Sequence, residues 1–245
     1  MMSQWFIHFN ALAKGFILRL HLHIFLGWLE KPLSFFANLL SLSRWASKQD
    51  RKNIKNDFYN NQRDYSKRLE LYKYVSDQQD LASQKIIYLE FGVFEGHSFR
   101  WWLQENKNPE SQFIGFDTFE GLPEHWGMFF GKGTLMANIP EVQDSRASFI
   151  KGLFQDTLPN FIQQHESLKS TRKIIHLDAD LFSSTLFTLA SLHPFLKSGD
   201  VILFDEFNVP MHEFRAMKIM EEAFYFKPKL IGAVNNYYQT AFMVN

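Results

Sequence analysis

The sequence predicts an α/β domain of three layers, with helices on both faces of a seven-stranded, mostly parallel sheet. From Lys85 onward, short apolar runs alternate with helix-like segments, which is typical of a parallel sheet covered on both faces. Only five residues separate the last two runs, which is too short for a crossover helix. We therefore expect an antiparallel strand at the C-terminal end. At 245 residues and 46% hydrophobic, the chain can bury such a core.

Residues 1–84 precede the predicted sheet domain, residues 85–245, and are expected to form a helical extension. Their first part, residues 1–47, is rich in Trp, Phe and Leu and carries four basic side chains against one acid, Glu30. One apolar stripe at helical spacing is formed by Trp5, Phe9, Leu12, Phe16 and Leu20. A basic residue and two histidines interrupt the apolar stretches, so none reaches the roughly 20 residues of a membrane span. We expect the stripe to pack on the domain, on a second subunit in a homodimer, or on a membrane surface.

Composition narrows the classes of function. The formal net charge is zero, so no nucleic-acid partner is predicted. The chain has no cysteine, which excludes disulfides, zinc–thiolate sites and thiol catalysis and fits a reducing compartment. No small-residue cleavage site follows a clean apolar core, so a secretory signal is not expected. The predicted location is therefore the cytoplasm. The alternative is a peripheral contact with a membrane through the N-terminal helix.

The seven predicted strands lie at residues 85–91, 113–116, 148–152, 173–178, 200–207, 229–234 and 240–244. The first ends in a turn that contains Glu90, Gly92 and Gly96, followed by a helix-like stretch from Ser98. Only glycine lets a ligand press against such a turn without a Cβ in the way. Asp117 ends the second strand about twenty residues later, a spacing that fits a carboxylate reaching the ribose of a nucleoside-like cofactor.

Four acids lie at the ends of the fourth and fifth predicted strands: Asp178, Asp180, Asp205 and Glu206. Carboxyl ends of neighbouring parallel strands meet at one edge, where ligands bind. Crowded carboxylates repel one another unless they are protonated or bridged by a cation. Oxygen-only ligands select Mg²⁺, Ca²⁺ or Mn²⁺ over zinc. We therefore expect a cation site from Asp178, Asp205 and Glu206, although single acids of this kind also cap helices or turns.

Five segments in this order carry a resemblance to a known family: residues 90–96, 116–123, 151–159, 177–185 and 204–207. Together they resemble the class I S-adenosylmethionine-dependent methyltransferases, and among these the macrocin O-methyltransferase-like family. The resemblance covers about residues 85–245. It implies a Rossmann-like methyltransferase domain that uses S-adenosylmethionine, with Mg²⁺, to methylate a hydroxyl of a small molecule such as a sugar or natural product.

The resemblance also implies residue roles. The residues assigned to the cofactor are Glu90, Gly92, Gly96, Ser98, Asp117, Phe119, Phe154 and Asp156. Those up to Ser98 would hold the methionine part, Asp117 the ribose hydroxyls, and the others would flank the adenine. Asp178, Asp205 and Glu206 match the positions that hold Mg²⁺ in metal-dependent members. Asp180 would orient a ligand or a substrate hydroxyl.

The general base that would take the acceptor proton stays open at the sequence level. The catalytic candidates are Asp178, Asp180 and His212, which follows the fifth strand. His176 lies inside a predicted strand and is expected to be a core histidine. Residues 124–142 contain aromatic side chains and glycines without strand or helix periodicity, which favours a lid over the acceptor.

Two alternatives belong to other classes. Asp178-Ala-Asp180 also resembles the Asp-x-Asp motif of nucleotide-sugar glycosyltransferases, where the acids bind Mn²⁺ and a diphosphate. That hypothesis leaves the glycine turn and Asp117 without a role. The second alternative is a non-catalytic scaffold with a methyltransferase fold.

Overall fold

A computed structural model of the chain describes residues 4–126 and 130–245 and confirms the predicted fold class. The strands are β1 (Lys55–Asn56), β2 (Ile86–Phe91), β3 (Gln112–Asp117), β4 (Ala147–Lys151), β5 (Arg172–Leu177), β6 (Val201–Phe204), β7 (Lys229–Val234) and β8 (Gln239–Met243). The helices are α1 (Gln4–Arg19), α2 (His23–Leu26), α3 (Glu30–Ala46), α4 (Lys67–Gln79), α5 (His97–Glu105), α6 (Phe154–Gln164), α7 (Phe182–Leu192) and α8 (Glu213–Phe224). Short 3₁₀ segments lie at Gly27–Leu29, Glu166–Lys169 and His193–Phe195.

The strands form one sheet in the order β1-β7-β8-β6-β5-β2-β3-β4. Neighbours are parallel except for β8, which runs antiparallel to both β6 and β7, as the short connection before it predicts. The sheet has one strand more than expected, because Lys55 and Asn56 pair with β7. Two residues are too few to show a period in the sequence. The predicted division between residues 84 and 85 stays a prediction. Within the extension, β1 joins the sheet and α4 packs against β7 and β8.

The register of the central strands brings their carboxyl ends together. Glu90 of β2 lies opposite His176 of β5, and Leu177 of β5 lies opposite Phe204 of β6. The residues that follow these strands therefore emerge at the same edge of the sheet. Every residue of β2 is buried, as expected for a parallel strand with helices on both sides.

Aromatic packing ties the end of α3 to one face of the sheet. Leu42 and Ala46 are buried in the same apolar cluster as the side chains of β6 and β8. The Trp45 ring lies 4.8 Å from the Phe207 ring and 5.4 Å from the Tyr237 ring, measured between centroids. The last turns of α3 are thus part of the core.

The first helix, α1, is not part of the core. None of the residues of α1 is buried. Among the described residues, no single helix is both long and apolar enough to cross a membrane. Taken together, Gln4–Arg19 and His23–Ala46 satisfy the length and composition criteria, but they are bent by 72° at the break between them.

Candidate active site

A cavity of about 650 Å³ opens at the carboxyl edge of the central strands. Its size lies within the usual range for small-ligand sites. The predicted site residues that line it are Gly92, Asp117, Phe154, Asp178, Asp180 and Glu206. The glycine turn and the acids, which the sequence separates by more than eighty residues, therefore face one space.

Gly92 is the point at which the ends of β2 and β5 touch. Its φ is +93°, and a Cβ on it would lie 1.8 Å from the carbonyl oxygen of Asp178. The Asp178 amide in turn donates to the Phe91 carbonyl at 2.9 Å. Glycine is therefore required here both by the backbone conformation and by the close approach of the next strand.

Asp117 fixes the glycine turn from the end of β3. Its Oδ2 accepts hydrogen bonds from the amides of Val93 and Phe94, both at 2.8 Å, and its Oδ1 accepts one from Phe119 at 2.7 Å. The carboxylate is thereby oriented at the cavity wall without a side-chain partner among these contacts. Its Oδ1 keeps a second lone pair that a ligand hydroxyl can use.

The acids beside the turn form a cluster in which Asp205 and Glu206 are buried and Asp178 and Asp180 are half-buried. Burial is the largest cause that raises the pKa of Asp180 to about 7 and that of Glu206 to about 8. Burial also raises the pKa of Asp178 well above its usual value, with the nearby Asp205 as the next cause. Burial raises the pKa of Asp205 as well, although the Tyr65 hydroxyl donates to its Oδ2 at 2.7 Å. The cluster thus holds more negative groups than its neighbours neutralise.

Unpaired oxygens in this cluster fit a hard cation. Within the described part of the chain, Asp205 Oδ1 accepts no hydrogen bond and lies 3.9 Å from the Arg68 guanidinium. Glu206 Oε2 likewise accepts none from the described residues, whereas its Oε1 accepts one from the Tyr238 hydroxyl. Buried acceptors of this kind are normally paired or bound to an ion. The donor set therefore fits a cation with oxygen ligands.

The ligand atoms of His176, Asp178 and Asp205 lie within 4.8 Å of one another. Both ring nitrogens of His176 are engaged, however, since Nδ1 lies 2.9 Å from the Tyr88 hydroxyl and Nε2 lies 3.2 Å from the Tyr72 hydroxyl. The histidine would have to give up a tyrosine before it could bind a metal. Of the Asp205 oxygens, Oδ1 is the one without a hydrogen bond from the described residues.

Residues 89–207 match a family model described as a methyltransferase domain. The match supports the predicted resemblance for this part of the chain, which carries a methyltransferase domain. No curated protein sequence matches the chain. The family match favours the methyltransferase hypothesis, and it does not support the glycosyltransferase alternative.

Two solved structures share the fold of this chain. The calicheamicin methyltransferase CalS11 is 20% identical, over 85% of this chain and 91% of its own, with a TM-score of 0.58. The O-methyltransferase NovP is 17% identical, over 88% of this chain and 100% of its own, with a TM-score of 0.54.

Beneath the glycine turn of the methyltransferase, five buried side chains form one hydrogen-bonded chain. Burial lowers the pKa of His176 to about 3, so the ring is neutral and carries a single N–H. Tyr88 donates to Glu90 Oε2 at 2.5 Å, so its oxygen accepts the proton of His176 Nδ1. His176 Nε2 then accepts from Tyr72, which accepts from Ser98. This series of hydrogen bonds joins the first turn of α5 to the end of β2.

Several predicted site residues of the methyltransferase do not line the cavity: Glu90, Gly96, Ser98, Phe119, Asp156, Asp205 and His212. Glu90 and Ser98 are the two ends of the buried chain. Phe119 is buried, with its ring 6.3 Å from the Phe149 ring, and Asp156 is exposed in the first turn of α6. Their contacts with the cofactor stay predictions.

His212 precedes α8, and the structure does not bring it to the cavity wall. Its Nδ1 is buried without a hydrogen bond among the described residues, and burial lowers its pKa. The next residue, Glu213, is the one that supports the acid cluster. Its Oε2 accepts the amide of Glu206 at 2.9 Å.

The cavity residues that were not predicted from the sequence include Arg63, Tyr65, Arg68 and Tyr238. The first three precede the family match, and the last lies in the turn between β7 and β8. The Arg63 guanidinium stacks over the Tyr238 ring at 3.4 Å from its centroid. None of the four belongs to a motif, and only the fold brings them to the acids.

The predicted lid is described in part. Trp126 and Phe130 line the cavity, and their rings stack with centroids 4.7 Å apart. Residues 127–129, which include Phe129, lie outside the described residues. The role of residues 124–142 in closing over an acceptor stays a prediction.

Proposed function

We propose that the protein transfers the methyl group of S-adenosylmethionine to a hydroxyl of a small molecule, with a divalent cation such as Mg²⁺ beside the acceptor. One observation carries the proposal. A single cavity is lined by the glycine turn and Asp117 on one side and by Asp178, Asp180 and Glu206 on the other. A cofactor subsite and an acidic acceptor subsite are thus contiguous.

The described contacts support a division of labour among these residues. Asp117 presents an acceptor oxygen for the ribose hydroxyls while its backbone contacts keep the turn in place. Gly92 leaves room for the methionine part because it has no Cβ. S-adenosylmethionine supplies the methyl group from a sulfonium, so the protein mainly positions two reactants for in-line displacement and excludes water.

The acids would serve the acceptor side. Asp178, Asp205 and Glu206 would hold the cation, in keeping with the unpaired oxygens of Asp205 and Glu206. Bound there, Mg²⁺ would lower the pKa of the acceptor hydroxyl and align it with the methyl group. Asp180, which lines the cavity next to this set, would accept the hydroxyl proton, whereas His212 is not on the wall.

Hydroxyl acceptors are favoured by the relatives with the same fold. CalS11 is described as a TDP-rhamnose 3′-O-methyltransferase and NovP as an O-methyltransferase. Because neither is more than 20% identical to this chain, they support hydroxyls as the class of acceptor and do not identify the acceptor molecule. A sugar or another polyol hydroxyl is the proposed target.

The proposal is tested by calorimetric titration of S-adenosylhomocysteine into the full chain, with and without Mg²⁺. Wild type is expected to bind, and Asp117→Ala to bind at least about tenfold more weakly, because charge-assisted hydrogen bonds contribute about 1.5–3 kcal/mol. Asp117→Asn, which keeps an acceptor for the turn amides, separates loss of ligand contacts from loss of the turn.

Glu110→Ala is the matched control. Glu110 is an exposed acid that pairs with Lys85 at 2.9 Å and does not line the cavity. This variant should bind S-adenosylhomocysteine like wild type. Absence of binding by wild type at every Mg²⁺ concentration would contradict the proposed function.

A further inference from the structure

The N-terminal helices carry an apolar surface that the fold leaves uncovered. Among the described residues, 18 of the 29 large apolar side chains that are exposed lie between Trp5 and Leu40. Trp5, Phe25 and Trp28 are each 70% exposed or more. Isolated exposed apolar residues are ordinary, but a contiguous set of this kind marks a site of interaction. We call residues 4–40 the apolar segment.

We propose that the apolar segment docks the protein on an anionic membrane surface, with the cavity edge of the sheet turned toward the bilayer. The positive charge of the N-terminal helices favours an anionic membrane as the partner. Residues 4–46 contain Lys14, Arg19, Lys31 and Arg44 against Glu30, a net charge of +3 (4 − 1), whereas 26 basic and 26 acidic residues cancel over the whole chain. Basic residues beside tryptophan and phenylalanine are the composition of helices that lie at anionic lipid interfaces.

The geometry favours lying on the membrane over crossing it. α1 has 16 residues and so extends about 24 Å, less than the roughly 30 Å hydrocarbon core. The axis then bends by 72° before α3, whose last turns are buried in the protein core. Trp5 and Phe9 stack at 5.6 Å on one side of α1, which gives it an aromatic face to insert at headgroup depth.

Contacts of α3 fix where the apolar segment leaves the fold. The Asn38 amide donates to the Met211 sulfur at 3.5 Å, and Ser34 Oγ lies 3.8 Å from the same atom. One turn further along α3, Ser41 accepts a hydrogen bond from Lys218 of α8. Met211 belongs to the loop that follows Glu206 at the carboxyl end of β6. The first half of α3 therefore lies at the cavity edge, and the helices before it extend from that edge.

Docking in this orientation brings the cavity close to the lipid surface. If the proposed function holds, on which this step rests, the acceptor hydroxyl belongs to a molecule that is itself associated with the membrane. A soluble acceptor would gain nothing from an apolar segment at this edge. The other occupant of the surface, a second copy of the chain, is distinguished by the experiment below.

The experiment is co-sedimentation of the full chain with vesicles of phosphatidylcholine alone or mixed with phosphatidylglycerol. Binding to the anionic vesicles that weakens with added salt is expected. Trp5→Gln/Phe9→Gln should lower the bound fraction at least about tenfold, because two aromatic side chains lose their burial in lipid. Neither residue is buried in the fold, so the double variant should retain wild-type circular dichroism.

Tyr225→Asn is the matched control. Tyr225 is 84% exposed at the end of α8, and its left-handed backbone suits asparagine. This variant should bind vesicles like wild type. Failure to bind anionic vesicles, together with a dimer in sedimentation velocity that Trp5→Gln/Phe9→Gln dissociates, would overturn the proposal in favour of a second copy.

Orientation is tested separately because the chain has no cysteine. An environment-sensitive fluorophore is attached after Met136→Cys, near the cavity, or after Ser83→Cys, which precedes β2 at the opposite edge. Anionic vesicles should shift the emission of the first label to the blue and leave the second unchanged. The reverse pattern would overturn the orientation. S-adenosylhomocysteine binding is measured on the same samples, so docking and the proposed function fail independently.

Discussion

Glu90 occupies an unusual environment for a carboxyl group. It is buried at the end of β2, and burial raises its pKa from an ordinary 4.5 to about 8, despite the hydrogen bond from Tyr88. Between these two values the folded protein binds more protons than the unfolded chain. The stability that protonated Glu90 permits is therefore fully present below the unfolded pKa and is lost as pH rises through the folded pKa.

Glu90→Gln should remove this pH dependence and keep the acceptor for Tyr88. Between about pH 5 and about pH 8, the wild-type free energy of unfolding should fall by on the order of a few kcal/mol relative to the variant. Urea denaturation at several pH values measures the free energy of unfolding of wild type and of Glu90→Gln. Glu110→Gln, at an exposed position, should follow the wild-type curve. Parallel curves for wild type and Glu90→Gln would show that the carboxyl is not protonated in the folded state.

At the scale of residues, the sequence predicts groups whose position follows from the chain itself. Asp178, Asp180 and Glu206 were expected at the cavity because each follows an apolar strand of a parallel sheet. Tyr72 and Tyr88 were not predicted as members of a buried network, because their partner His176 comes from a different strand. Hydrogen bonds between distant elements leave no local pattern.

At the scale of elements, the turn between β2 and α5 is held by contact with β5. Gly92→Ala should therefore abolish S-adenosylhomocysteine binding and lower stability by more than backbone strain alone, since the new methyl would overlap the Asp178 carbonyl. Gly133→Ala is the matched control, with φ +83° and no atom within 4 Å of the added Cβ. It should cost only the about 1–2 kcal/mol of a left-handed backbone.

Thermal unfolding and calorimetric titration of Gly92→Ala and Gly133→Ala distinguish overlap with the Asp178 carbonyl from backbone strain. Equal losses of stability and retained binding in Gly92→Ala would mean that β2 and β5 can move apart without harm to the site. The contact between the strand ends would then have no role in forming the cofactor subsite.

Strands of five or six residues were predicted well because a short apolar run between helical segments is typical of a buried strand. β1 has two residues and no pattern. The segment before α4, which supplies Arg63 and Tyr65, is polar and irregular, as is typical of a solvated loop. Its place over the acids depends on the pairing of β1 with β7 and on contacts with the β7–β8 turn, such as Asn235 Nδ2 donating to the Asp64 carbonyl at 2.8 Å.

At the scale of the whole molecule, charge is divided unevenly. Residues 4–46 carry a net charge of +3, so the rest of the chain carries −3, since the total is zero. Part of that formal negative charge lies in the acid cluster at the cavity. The proposed membrane contact and the proposed cation site thus use opposite charges on neighbouring parts of one fold.

Two buried aspartates at opposite ends of β6 differ in their partners. Asp205 belongs to the acid cluster, where Asp178 and Asp180 repel it. Asp200, at the other end, pairs with Lys173 at 2.9 Å, and both side chains are fully buried. A cation would stabilise the first environment and leave the second unchanged.

Asp205→Asn should therefore raise the melting temperature in EDTA by a few degrees, since about 1 kcal/mol corresponds to about 2–4 °C in a protein of this size. It should also lose the increase that Mg²⁺ gives wild type. Asp200→Asn should lower the melting temperature, because it leaves the buried charge of Lys173 without its carboxylate, and keep the response to Mg²⁺. If Asp205→Asn melted lower in EDTA and still responded to Mg²⁺, the acids would be structural, and the cation would have to bind elsewhere.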